Sequence, residues 1–139
     1  MTHRKHVGPR ISAKSHNFLS EMWGSPNRGA VFFLDTLPTI FEDTLQGLKG
    51  RFTKDELMIF LTFCAEENVL PEFAGKNFTT HIETFIDRKF LPEEYDIDSK
   101  RMIKELKKLT VFQALCLESW AAARTFSEVD DEVYVGRLV

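Results

Sequence analysis

Arg10, Ile11 and Ser12 place two polar side chains on either side of an apolar one, within a strongly basic tract. The first 28 residues hold Arg4, Lys5, Arg10, Lys14 and Arg28 against a single acid, Glu21, a net charge of +4. Residues 29–139 hold 13 basic and 20 acidic residues, a net of −7. The chemistry open to such a tract is anion recognition. An arginine offers two parallel donors to a guanine edge, a serine hydroxyl gives or takes a hydrogen bond, and lysines attract phosphate without regard to sequence. A basic segment on an acidic body points to a polyanionic partner.

Other residues that could do chemistry carry less. His81-Ile-Glu83 has the His-x-Glu spacing of a zinc site in which the Glu moves a proton, but the chain has no Pro-Cys-x-x-Cys to complete one. His3 and His6 lie three apart without the further Cys or His that a structural zinc needs. No glycine-rich phosphate loop and no serine elbow occurs. Glu118 stands out as a carboxylate in an apolar segment; it is expected on the wet side of its helix, or paired with a base from residues 100–108. Arg101, Lys104 and Lys108 share a helical face, expected to be solvated. No catalytic residue, metal or cofactor is expected, and the chain reads as a non-enzyme.

These groups need elements to hold them. Ser12 is placed to cap a first helix over about 13–23, with Phe18, Leu19, Met22 and Trp23 on one stripe and Gly24 as its end. Ser25 and Pro26 open a second helix, in which Ala30, Phe33, Leu34, Leu37, Ile40, Phe41, Leu45 and Leu48 recur at helical spacing. Pro38 is expected to kink or split it near Thr36. Thr53 and Glu56 form a capping box for a helix to about Glu67. Further helices follow over about 77–89, from Asp98, and over about 111–126 behind Thr110. The last of these is apolar nearly all round and is expected at the centre of the core. Val133-Tyr134-Val135 alternates and reads as a strand or a loose tail.

With 139 residues, 43% hydrophobic and 28% charged, the chain is of ordinary globular composition. It contains 13 Phe, which have no polar handle and should be buried, in the core or in a subunit interface. Cys64 and Cys116 read as reduced core thiols. No apolar run reaches bilayer length and no secretory signal is evident, so a cytoplasmic location away from membranes is expected.

A short basic strand over 7–12, a helix, the turn Gly24-Ser25-Pro26-Asn27-Arg28 and a second helix resemble the ribbon-helix-helix DNA-binding family over residues 8–48. The resemblance implies a homodimer whose paired strands enter the major groove. Arg10 and Ser12 would then touch bases. Arg4, Lys5, Lys14, Ser25, Asn27 and Arg28 would touch phosphates. The expected fold is mainly α, a short N-terminal strand followed by a compact bundle of five to six helices. Residues 1–50 would be the DNA-binding segment and 51–139 a helical body, or the two one continuous domain. The expected function is DNA binding, in transcriptional regulation or replicon partition. The rival reading is a helical protein-interaction or oligomerisation module whose phenylalanine-rich faces form the interface.

Overall fold

The computed structural model describes residues 11–69, 77–88 and 95–139. Among them are seven α-helices, one 3-10 turn and no strand. The strand expected over 7–12 lies largely outside the described residues; of it, Ile11 and Ser12 are described, and they lead directly into the first helix. The chain forms two compact units, residues 1–40 and 41–139.

In the first unit, α1 (Ala13–Trp23) starts where the Ser12 hydroxyl accepts from Ser15 N, and ends at Gly24, whose φ of 77° is the left-handed conformation that glycine adopts without a Cβ clash. The Gly24 N–H closes the end by donating to Ser20 O at 2.9 Å. α2 (Pro26–Leu48) begins at once: the Ser25 hydroxyl accepts from Arg28 N at 3.2 Å, and Pro26 takes the first helical position, where its missing N–H costs nothing.

Pro38 neither splits nor ends α2, which runs on through it for ten more residues. Its ring deprives the Leu34 carbonyl of a helical donor. Leu34 and Pro38 are both exposed, so water can take that carbonyl and the interruption stays tolerable. The division between the two units falls two residues later, after Ile40.

The second unit holds the remainder of α2, then α3 (Lys54–Glu66), α4 (Phe78–Arg88), α5 (Ser99–Lys107), α6 (Val111–Ala123), a 3-10 turn (Arg124–Phe126) and α7 (Asp131–Gly136). Caps define most of these starts. Thr53 with Glu56, and Thr110 with Gln113, form complete capping boxes, and Asp98 caps α5 through Arg101 N. α3 and α6 pack against each other at the centre, α7 covers α3, and α4 joins α5 to both. Phe60, Phe78, Ile82, Met102, Leu117 and Val135 are fully enclosed. Phe52, Phe60, Phe78, Phe63 and Phe85 run through this core as a chain of ring contacts, most of them edge-on, with centroids 5.2–6.0 Å apart.

Two local expectations are corrected here. Residues 131–136 are helix, not strand. The Asp130 side chain accepts from Val133 N, Asp131 and Glu132 sit favourably in the first turn, and Tyr134, Val135 and Leu138 bury at helical spacing. Glu118 does not face water: it is buried within α6. Arg101 of α5 pairs with another buried carboxylate, Glu56, whose Oε1 also accepts from Thr53 N at 3.0 Å.

α6 is central in its second and third turns but exposes Val111 and Phe112 in its first. Trp120 stacks on Tyr134 with centroids 4.9 Å apart, and the Tyr134 hydroxyl donates to the Trp120 carbonyl. Trp120→Ala removes the stacking ring and leaves a cavity, so it should lower unfolding free energy by ~3–5 kcal/mol. Chemical denaturation followed by circular dichroism measures this; an unchanged midpoint would mean that Trp120 does not support the core.

Candidate interaction surface

The residues expected to meet DNA fall into two groups. Arg4, Lys5 and Arg10 lie outside the described residues. Ser12, Lys14, Ser25, Asn27 and Arg28 are described, and Ser12, Lys14, Asn27 and Arg28 are exposed. The two serines already have work: each hydroxyl oxygen caps a helix, Ser12 accepting from Ser15 N and Ser25 from Arg28 N, both at 3.2 Å. Lys14 and Asn27–Arg28 stand on the first turns of α1 and α2.

Arg101, Lys104 and Lys108 are exposed on α5, as is Lys107. Arg101 joins Glu56, Lys108 reaches Glu105 at 2.9 Å, and Lys107 lies 3.9 Å from Glu83. Lys100, Lys104 and Lys107 line a cleft of about 440 Å³ between α4 and α5, together with Ile86, Ile103, Glu83 and Asp87. Bases and acids share this cleft, so it selects for neither charge. His81 is exposed on α4 and Glu83 lies in the cleft wall. Among the described residues no three His, Cys, Asp or Glu side chains gather as a metal site.

The two cysteines are buried and free. Burial, and next the charge of Glu118, push the Cys64 thiol up to about 12. Its Sγ donates to the Glu118 carbonyl at 3.9 Å. A thiol so placed stays protonated at neutral pH and is a poor nucleophile. Burial raises Cys116 as well.

The unusual surface is in the first unit. Gly29 lets α2 approach α1 closely, against Leu19 and Trp23. Trp23 then stacks on Phe32 at 5.4 Å between centroids and meets Phe33 edge-on at 5.3 Å, while Phe18 meets Trp23 at 5.9 Å. This contact covers little. Leu19 and Gly29 are buried, but Ile11, Phe18, Met22, Val31, Phe32, Phe33, Leu34, Leu37 and Ile40 remain between 38% and 64% exposed. Those nine fall within 30 described residues; the described part of residues 41–139 exposes five large hydrophobic side chains.

Helical spacing explains the exposure. At ~100° per residue, Gly29, Phe32, Phe33 and Thr36 lie toward α1, whereas Val31, Leu34 and Pro38 lie on the opposite side with Leu37 beside them. Arg28, Asp35 and Thr39 leave only a narrow polar stripe. α1 can cover one side of α2 and not the other. A helix this apolar around its circumference is normally enclosed. The sequence carried the signal in Val31-Phe32-Phe33-Leu34, four consecutive large apolar residues that no single packing face can bury.

Compared with protein-family models, with curated proteins and with solved structures, the chain matches none. Among the described residues no helix is long and apolar enough to cross a membrane.

The close approach at Gly29 gives a paired test. A Cβ there would lie 2.7 Å from Leu19 Cδ2, 3.0 Å from Trp23 Cε3 and 3.1 Å from Leu19 Cβ, whereas at Gly47 it would meet nothing within 4 Å. Leu19 Cδ2 can rotate away and the Trp23 ring can shift, but Leu19 Cβ is fixed to its backbone and yields only if the helices part. Gly29→Ala should therefore destabilise the hairpin by ~1–2 kcal/mol despite its better helix propensity. Gly47→Ala should stabilise α2 by about 0.5 kcal/mol. Hydrogen exchange of the α1 and α2 amides reads both, and slower exchange in Gly29→Ala would contradict the packing described.

Proposed function

We propose that the protein is a helical interaction module without catalytic chemistry, and that the α1–α2 hairpin is its contact element. The observation that carries this reading is the exposure of nine large apolar side chains on a 30-residue hairpin. Half the surface of nine such side chains is roughly 800 Å². These side chains lie on more than one side of the hairpin, so the sum is not a single patch, but it sets in water more apolar surface than the roughly 300–600 Å² of the largest patch on a typical monomer, which marks a region where another molecule binds. The second unit supplies what the hairpin lacks, a closed core of its own, so the hairpin's apolar side chains are not needed to fill it.

Diffusible-carbene labelling of Met22, Trp23, Phe32 and Leu34 tests this. The reading expects heavy labelling of the chain when it is alone and protection when it is assembled. Protection in a species of single-chain mass would show that the chain covers the face itself, and the reading would fail.

One observation favours a second reading, DNA binding. The helix, left-handed glycine and serine-capped helix expected of a ribbon-helix-helix segment occur in that order over α1 and α2, behind a basic N-terminal tract. On this reading the hairpin brings two basic tracts together, Arg10 contacts bases, and Arg4 and Lys5 contact phosphates. Arg10→Ala should weaken a preferred site by ~1–3 kcal/mol and blur its preference. Arg4→Ala and Lys5→Ala should weaken all sequences alike and each reduce the salt dependence by about one unit of slope. Fluorescence anisotropy on a pool of random duplexes at low salt decides first, since no binding by the full chain removes the DNA reading.

A further inference from the structure

We infer that the hairpin docks on an anionic lipid surface, setting Phe18 and Met22 of α1 and Phe32 of α2 among the headgroups while the basic residues around them meet the negative charge. This rests on the reading of the hairpin as a contact element and names what the element touches.

The face is one side of the hairpin. Lys14, Phe18 and Met22 follow at four-residue spacing on α1, and Arg28 and Phe32 do so on α2, so each row lies along one side of its helix. The Trp23 ring joins the two rows: it meets Phe18 edge-on at 5.9 Å and stacks on Phe32 at 5.4 Å. All five side chains of the rows are exposed. Each row begins with a base and continues into apolar side chains. Leu34, two residues after Phe32, lies ~200° round α2 and belongs to the other side.

Charge chooses the occupant. Residues 1–40 carry Arg4, Lys5, Arg10, Lys14 and Arg28 against Glu21 and Asp35, a net of +3. The two acids follow Phe18 and Phe32 by three residues and sit beside the rows. Residues 41–139 carry 13 basic and 19 acidic residues, a net of −6. A negative surface therefore attracts the hairpin end of the chain and repels the remainder. A DNA duplex would take the charge and leave Phe18, Met22 and Phe32 in water. An acidic lipid surface takes both: lysine and arginine meet the headgroups, and the apolar side chains enter the boundary beneath them. Contact of this kind lies at the interface and asks for no helix of bilayer length.

Co-sedimentation of the full chain with vesicles tests the inference, using phosphatidylcholine alone and phosphatidylcholine mixed with phosphatidylserine, each across a salt series. The chain should bind the mixed vesicles, leave them as salt rises, and bind phosphatidylcholine alone at least ~10-fold more weakly. Two variants locate the face. Met22 and Leu34 are almost equally exposed, at 62% and 64%, so a glutamate at either should leave the chain folded, which far-ultraviolet circular dichroism verifies. Met22→Glu sets a carboxylate against the anionic headgroups and should weaken binding at least ~10-fold. Leu34→Glu makes the same change of charge on the other side and should weaken it less than ~3-fold.

No binding to the mixed vesicles overturns the inference. If the hairpin of the free chain is then labelled by carbene, the contact reading stands with a different partner; if it is protected in a species of single-chain mass, both fail. Equal binding to the two kinds of vesicle overturns the choice of an anionic surface. Binding that Met22→Glu leaves unchanged, or that Leu34→Glu weakens as much, overturns the assigned face. Binding to random duplexes at low salt, with none to the mixed vesicles, gives the basic tract to DNA and overturns it as well.

Discussion

α2 carries apolar side chains on more of its circumference than one neighbouring helix can cover, and the rest of the molecule's behaviour depends on that mismatch. Gly29 brings α1 against one side so closely that a methyl group would collide with Leu19 and Trp23. The aromatic group of Phe18, Trp23, Phe32 and Phe33 forms around this contact, yet its outer rings remain in water. Only Leu19 among the hairpin's large apolar side chains is buried. A helical hairpin with so little enclosed surface is a marginal structure by itself, and covering the bare side of α2 supplies the burial it lacks.

The second unit shows what the same residue types do when the count closes. Phe52, Phe60, Phe63, Phe78 and Phe85 interlock at the centre of α3, α4 and the turn before α3, and α3, α5, α6 and α7 begin at side-chain caps. Glu56 illustrates the economy of the arrangement: one carboxylate caps α3 through Thr53 N and ties α3 to α5 through Arg101. The Gly50 N–H donates to the Leu138 carbonyl at 2.9 Å, joining the turn before α3 to the turn that follows α7. Phenylalanine is thus divided between a closed core and an open surface. That division, more than the basic tract, shapes the functional reading, because it is visible in the arrangement of described residues.

Much of the fold was legible from local chemistry. Ser12, Gly24, Ser25 with Pro26, the Thr53 and Glu56 pair, Asp98 and Thr110 each announce a helix boundary through a bond made within three or four residues, and each boundary lies where that bond requires. Of the two outcomes open at Pro38, a kink or a split, the split does not occur. Two features were not legible from the local pattern. Val133-Tyr134-Val135 alternates like a strand, but Asp130 caps it and Leu138 follows at helical spacing. Glu118 looks like a wet position in its helix and is buried. The surface itself was half legible: the expectation that phenylalanine belongs in a core or an interface names both destinations, and the sequence alone does not say which residues take which. The strand and the residues Arg4, Lys5 and Arg10 lie outside the described residues, so the DNA reading stands on the order of helices and on charge.

The central claim is that one chain leaves the side of α2 carrying Val31 and Leu34 uncovered. Hydrogen exchange of the residue 26–40 amides in a species of single-chain mass, compared with that of α3 and α6, tests it most directly. The account predicts much faster exchange over residues 26–40 than in the enclosed helices α3 and α6. Protection of residues 26–40 equal to that of α3 and α6 in that species would contradict it.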